Sequence, residues 1–298
     1  MHLDFAQASF HDPHKAEENW LRLEARLVSA LNAPLASLLA QSPDPDGALN
    51  LLERYARVAP GEVLRELAHW AGALTYLVAA FSFGGLLAEP FLAEPALALQ
   101  FARDRRFASL SSREGVLQDY ARFSTTHPAA GLAEQLARFK RRNSVRVGLK
   151  DVLGLATLAE TTLELSQLAD VILGQALVDA DQELEKRHGQ PQYRDAQGRV
   201  ARSGFSIISL GKLGGSELNY SSDIDLLFLY AHDGETAGGR KAGSVVSNKE
   251  YFVRLAQTVT GRLAEATSEG PVYRVDLRLR PEGDQGDLAI SLSAALDY

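Results

Sequence analysis

The sequence predicts an α+β chain: a mostly helical N-terminal region followed by a small mixed β-sheet domain with flanking helices. Three observations carry the prediction. Apolar residues recur at helical spacing to about residue 190. After Pro191 the helical period gives way to three strand-like runs, the β-branched apolar Phe205–Leu210, Asp223–Tyr230 and the strictly alternating Val272–Arg280. Between the second and third runs, Ser247 and Glu250 form a capping box that opens one more amphipathic segment. The expected division is a helical region over 1–156 and a sheet-bearing domain over 157–298, with an opening helix at 157–188 and the sheet and its helices at 200–298.

Taken in order, 19–31 places Trp20, Leu21, Leu23, Leu27 and Leu31 on one helical face. The pattern continues through 51–58 and 62–81, with Pro60 and Gly61 between them. The stretch WAGALTYLVAAFSFGGLLA, 70–88, carries no charge and approaches the length of a membrane span. Thr75, Ser82 and the Gly84–Gly85 pair interrupt it, and Glu66 and Glu89 flank it, so a buried helix that breaks at the glycines is expected. Pro90 and Pro95 allow at most two short helical pieces over 89–101. The basic run RFKRRNSVR, 138–146, reads as an exposed helix face, with an anion or partner contact as the alternative. Thr157 and Glu160 form a second capping box, and Gly189 and Pro191 end the helix it opens. DAQGR, 195–199, reads as a turn, 231–246 as a mobile glycine-rich loop, and 247–265 as a helix with Phe252, Leu255, Ala256, Val259 and Leu263 inward.

Composition excludes several classes. The chain of 298 residues has no cysteine, which removes disulfides, thiolate catalysis and cysteine zinc sites. A net charge of −7 without a basic stripe gives no footing for nucleic acid held by bulk electrostatics. His11 and His14 read as ordinary surface residues rather than metal ligands. No apolar segment follows basic residues at the N-terminus, so no secretion signal and no membrane anchor are read, and a cytoplasmic chain is expected. The apolar run near Tyr298 lacks a closing signal, which suggests a piece truncated at its C-terminus.

The chemistry concentrates in GKLGGSELNYSSDIDLLFLY, 211–230. Strand alternation puts Asp223 and Asp225 on one face, with Ile224 and Leu226 toward the core. In the third run Arg274, Asp276, Arg278 and Arg280 share a face, and Val275, Leu277 and Leu279 share the other. If the two strands are neighbours, three carboxylates converge, and such a group stays ionised only beside a cation. Hard divalent ions, Mg²⁺ above all, meet that need and are completed by substrate phosphates. Gly214 and Gly215 let backbone amides approach an anion, and the Ser216 hydroxyl is a further donor. The sum is a phosphoryl- or nucleotidyl-transfer site with two metal ions. The bland alternative is a surface cluster without a ligand. Neither the GxxxxGK[ST] loop nor GxGxxG is present.

These segments, with YRVDLRLRPEGDQGDL downstream and FKRRNSVRVGLKDVLGLATLAETTLELSQLADVIL upstream, resemble the glutamine synthetase adenylyltransferase/adenylyl-removing family. That family belongs to the DNA polymerase β-like nucleotidyltransferases, and the resemblance implies a catalytic domain of that fold. It implies that Asp223 and Asp225 hold two Mg²⁺ ions and that Asp276 completes the catalytic one. By the same resemblance Gly214, Gly215 and Ser216 cradle phosphate, while Lys212, Arg278 and Arg280 neutralise developing charge. Lys212 and Arg278 have ion-pair or surface roles as alternatives, and Ser222 with Asn219 braces the loop at the nucleotide. NYSSDIDL and YRVDLRLRPEGDQG are nearer the N-terminal, adenylyl-removing copy of the family. The implied reaction is phosphorolysis of AMP–tyrosine on glutamine synthetase to ADP. The adenylyl-adding half, using ATP, a docking or regulatory module, and uridylylation of a signalling protein are the alternatives. Glutamine synthetase and a PII-type signalling protein are the implied partners, with ATP, ADP and phosphate.

Overall fold

The computed structural model describes residues 10–128, 131–239 and 244–298. It is an α+β structure in two compact units, and each is discontinuous in sequence. Residues 1–110 and 141–161 form unit one, and 111–140 and 162–298 form unit two. Residues 240–243, inside the stretch expected to be a mobile loop, lie outside the described residues.

Unit one is helical: α1 (Pro13–Glu24), α2 (Asn32–Ala40), α3 (Pro45–Val58), α4 (Gly61–Leu67), α5 (Ala71–Phe83), α6 (Gly85–Ala93) and α7 (Leu97–Arg103). The expectation placed the first and third of these starts too late, at residues 19 and 51. Each helix opens on an Asp-Pro pair, in which Asp12 or Asp44 accepts from the backbone N–H of Lys15 or Gly47 and the proline sets the first helical φ. The helix expected over 62–81 is two helices, because Trp70 adopts φ −131° and ψ 78°. The break at Gly84 is as expected, with φ 62° and ψ −160° outside the range of ordinary side chains. Among the described residues no helix is long and apolar enough to cross a membrane. Tyr55, Phe81, Phe91, Phe101 and Phe107 fill the core in edge and tilted contacts, and the Tyr55 hydroxyl donates to the Pro95 carbonyl at 2.6 Å.

Three further helices follow, α8 (Arg113–Thr126), α9 (Leu132–Val152) and α10 (Leu158–His188). The basic run sits on α9, and Arg138 is its exposed cation; Lys140, Arg141, Arg142 and Arg146 are half-buried. The reading of the run as an exposed face is therefore corrected. Arg142 lies over the Phe101 ring, and Arg146 donates to the Phe107 carbonyl. At α10 the capping box is reciprocal: the Glu160 N–H donates to Thr157 Oγ1, and the Thr157 N–H donates to the Glu160 carboxylate at 2.7 Å. Thr157→Ala is expected to lower stability by about 1 kcal/mol in denaturant titration, and Thr157→Ser to retain most of it.

Unit two holds the sheets: β1 (Pro191–Arg194), β2 (Val200–Arg202), β3 (Phe205–Leu210), the single turn α11 (Gly211–Gly214), β4 (Ile224–Tyr230), β5 (Glu235–Thr236), α12 (Asn248–Ala264), β6 (Val275–Asp276), β7 (Ala289–Ser291) and α13 (Leu292–Asp297). One sheet is antiparallel, ordered β2-β1-β5; in the other β3 runs antiparallel to β4, while β6 and β7 run parallel to it. Ile224, Leu226, Phe228 and Tyr230 face the core. Phe252 of α12 stacks on Phe205 and Tyr230. The alternate face of β4 begins with Asp225.

The third strand is far shorter than expected. Its alternation predicts a strand over 272–280, but only Val275 and Asp276 pair with β4. The Asp276 carboxylate accepts from the backbone N–H of Arg278, and the Arg280 N–H donates to the Leu277 carbonyl, so the chain turns instead of extending. Leu279, expected on the inner face, is 58% exposed.

Candidate active site

The site grows out of the connection between β3 and β4. Leu210 ends β3 in register with Asp225, and Gly211 turns the chain at φ 53°. A side chain at Gly211 would overlap the Asp225 carboxylate, and a Cβ at Gly214 would sit 2.5 Å from the Ser209 carbonyl. Gly215 has no such neighbour, its nearest being 3.6 Å away. The N–H groups of Gly215, Ser216 and Glu217 donate to the carbonyls of Gly211, Leu213 and Lys212. The expected phosphate amides of Gly215 and Ser216 thus close the turn in this conformation. Ser216 holds φ 58°, a left-handed value that a non-glycine residue adopts at a cost. Its side chain and that of Lys212 are exposed.

The loop is pinned from two sides. Leu218 is buried, and its N–H donates to Ser166 Oγ of α10 at 3.1 Å. Ser222 Oγ donates to Asn219 Oδ1 at 2.6 Å, the bracing role expected of that pair. The strand then delivers the carboxylates. Asp225 and Asp276 are register partners on parallel strands, so their side chains share a face of the sheet, and Asp223 precedes Asp225 by two.

Two of the three acids already hold cations. Arg274 Nε donates to Asp223 Oδ1 at 2.5 Å, and its guanidinium also reaches the Ser221 carbonyl at 3.4 Å. Arg278 grips Asp276 through side chain and backbone, its Nε 3.0 Å from each carboxylate oxygen. Those hydrogen bonds, the side-chain ones foremost, push the Asp276 pKa down to about 2. A depressed acid adds stability that is present above its unfolded pKa and is lost as pH falls through about 2. Arg278→Gln is expected to return this titration toward the ordinary carboxylate range, read by carboxyl ¹³C shifts. Asp225 is paired through its backbone to β3 and β6, and its carboxylate has no hydrogen bond or ion pair among the described residues. Arg280, expected beside the acids, instead donates to the Leu277 and Gly286 carbonyls at 2.8 and 3.3 Å, within its own turn.

The donor set is all carboxylate oxygen, the chemistry that Mg²⁺ prefers. Among the described residues no three acidic or histidine side chains stand together at ligand distance. The Arg274–Asp223 pair is exposed on both sides, 71% and 44%, and such pairs are weak, whereas Asp276 is 14% exposed and is held by Arg278 through side chain and backbone. The residues therefore fit a divalent ion by chemistry and register, on condition that those two acids release their arginines.

Arg274 and Gly211 were not singled out as site residues by the sequence. Arg274 was legible, since strand period puts it on the face of Asp276. Gly211 was not, because the glycine pair downstream carries the obvious signal.

Comparison with known proteins adds a family. Residues 74–298 match the model for glutamate-ammonia ligase adenylyltransferase. Similar curated proteins include the bifunctional glutamine synthetase adenylyltransferase/adenylyl-removing enzyme of Thioalkalivibrio sulfidiphilus (strain HL-EbGR7), 35% identical over 89% of this chain and 26% of that protein. Those of Burkholderia mallei and Nitrosococcus oceani are 44% and 43% identical, over 51% and 55% of this chain and 16% of each relative. The chain thus spans about a quarter or less of the length of these relatives.

Proposed function

Because this chain belongs to the glutamate-ammonia ligase adenylyltransferase family, we propose that it is a nucleotidyltransferase acting on glutamine synthetase, and that it works in the adenylyl-removing direction. The observation that carries the site is the pairing of Asp225 with Asp276 across parallel strands, with Asp223 two residues before Asp225 in the chain. The removing direction rests on NYSSDIDL and YRVDLRLRPEGDQG. The relatives' names include both directions.

In this reading an oxygen of inorganic phosphate forms a bond to the phosphorus of AMP–tyrosine. The bond from that phosphorus to the phenolic oxygen breaks, the phenol leaves with the electron pair and gains a proton, and ADP and free tyrosine result. Two bound Mg²⁺ ions would neutralise charge on the attacking and leaving oxygens. Asp225, without a competing guanidinium, is the acid placed to receive a cation directly, and Asp223 and Asp276 complete the set. Arg274 and Arg278, once released, are long exposed cations beside the acids, suited to holding phosphate. Lys212, Gly214, Gly215, Ser216 and Ser222 line the approach from the loop side, and Arg280 shapes the turn after β6. A PII-type signalling protein as regulator and a cytoplasmic setting are proposed on the family resemblance alone.

The test is incubation with AMP-modified glutamine synthetase, phosphate and Mg²⁺. Release of ADP that Asp223→Ala abolishes is the expected result. Incorporation of AMP from ATP would reassign the chain to the adding direction, and neither product would make it a docking module.

A further inference from the structure

The structure points to a residue outside the acid cluster. Lys140, from the basic run on α9, extends toward the segment that leads into β6. Its Nζ donates to the Val272 carbonyl at 2.5 Å and lies 4.0 Å from the centre of the Tyr273 ring. Both residues it touches are buried, Val272 completely. Two further bonds hold the same segment: the Tyr273 N–H donates to the Leu263 carbonyl of α12, and the Arg274 carbonyl accepts from the Ile224 N–H, each at 3.0 Å. Lys140 is thus one of the ties on 272–276, the residues that deliver Arg274 to Asp223 and Asp276 to the register of Asp225.

The seating is unusual for a lysine. No carboxylate pairs with it among the described residues. Of the charged groups around it, Arg274 repels it from the strand side. Asp170 of α10 acts on the Tyr273 hydroxyl and is itself attracted to Arg113 of α8. Glu134 and Arg138 on α9 are bound to each other. Burial, with a smaller contribution from Arg274, pushes the Lys140 ammonium down to about 8.

We propose that Lys140 is a positioning residue for the nucleotidyl-transfer site: seated on Val272 and Tyr273, it fixes the start of the segment that carries Arg274 and Asp276 to the acids of β4. Its catalytic consequence rests on the function proposed above; its structural consequence rests on geometry alone.

The experiment uses the full chain with Lys140→Met, which keeps the stem, and Lys140→Arg, which keeps the charge at all accessible pH. In phosphorolysis of AMP-modified glutamine synthetase, Lys140→Met is expected to lower kcat by roughly tenfold with KM nearly unchanged. Lys140→Arg, which keeps a cation on the Val272 carbonyl and the Tyr273 ring, is expected to retain most of the wild-type kcat. In parallel, amide exchange should show protection factors at Tyr273 and Ile224 falling in Lys140→Met and holding in Lys140→Arg. A kcat for Lys140→Met within about twofold of wild type, or a Lys140→Arg variant that loses as much kcat as Lys140→Met, overturns the proposal. So does a loss of protection spread evenly over β3 and β4, which marks a general structural role. Should wild type release no ADP, the functional reading falls, and the exchange data still decide the place of Lys140.

Discussion

Asp225→Asn is expected to reduce nucleotidyl transfer by about 10²–10³-fold or more while leaving the unfolding midpoint unchanged or slightly higher. The two halves of that result have one cause. Asp225 enters β4 between Ile224 and Leu226, both fully buried, so an amide of the same shape keeps the strand and its core contacts. It shares register with Asp276, and, unlike Asp223 and Asp276, it has no guanidinium beside it among the described residues. Without a metal ion, a like charge in that position costs stability, and neutralising it removes the cost. In the proposed metal site the same charge would be the ligand that no arginine contests. Loss of function without loss of stability is the mark of an acid kept for chemistry. ADP release from AMP-modified glutamine synthetase and thermal unfolding, measured on one preparation, give both numbers. Activity retained within about tenfold would remove Asp225 from the metal set. A midpoint that drops steeply would make it a structural residue instead.

The sequence carried the fold class and the two best-formed elements of the site, for reasons that remain visible in the structure. Ile224–Tyr230 became a strand with every second residue buried, and Phe205–Leu210 pairs with it along its whole length while Phe205 stacks on Phe252 of α12. Thr157 and Ser247 became caps because each side-chain oxygen reaches the N–H three residues on. Where alternation lacked that support, the reading failed. The run after Tyr273 alternates as strictly as β4, yet Asp276 prefers the nearby N–H of Arg278, and that local bond wins over a ladder available only on one side. Arg280 is lost to the site by the same turn. The short strands β1, β2 and β5 carried little signal, being two to four residues long and held mainly by their pairing. In the basic run, period alone could not tell solvent from the backbone carbonyls and rings that its cations meet.

The glycines give the second large effect, and they separate what the motif suggests from what the backbone requires. Gly211→Ala is expected to reduce transfer by about 10²-fold, with a loss of stability of roughly 1–2 kcal/mol. A methyl group there meets two obstacles. The φ of 53° is left-handed, where an L-residue is strained, and the added carbon would occupy the space of the Asp225 carboxylate, the group proposed to take the metal ion. Either the turn flattens, and β3 no longer hands the chain to α11 at this angle, or Asp225 swings away from Asp276. Both outcomes damage the site before they unfold it. Gly215→Ala is the control, since Gly215 has φ −83° and no atom closer than 3.6 Å to the added carbon. Its stability should match wild type within about 0.5 kcal/mol. If its activity falls while its stability holds, the phosphate approaches Gly215 closely, as the glycine pair in the sequence suggests. If Gly211→Ala keeps full activity, the wedge between Gly211 and Asp225 does not govern the acid, and the geometry assigned to the site is wrong at its centre.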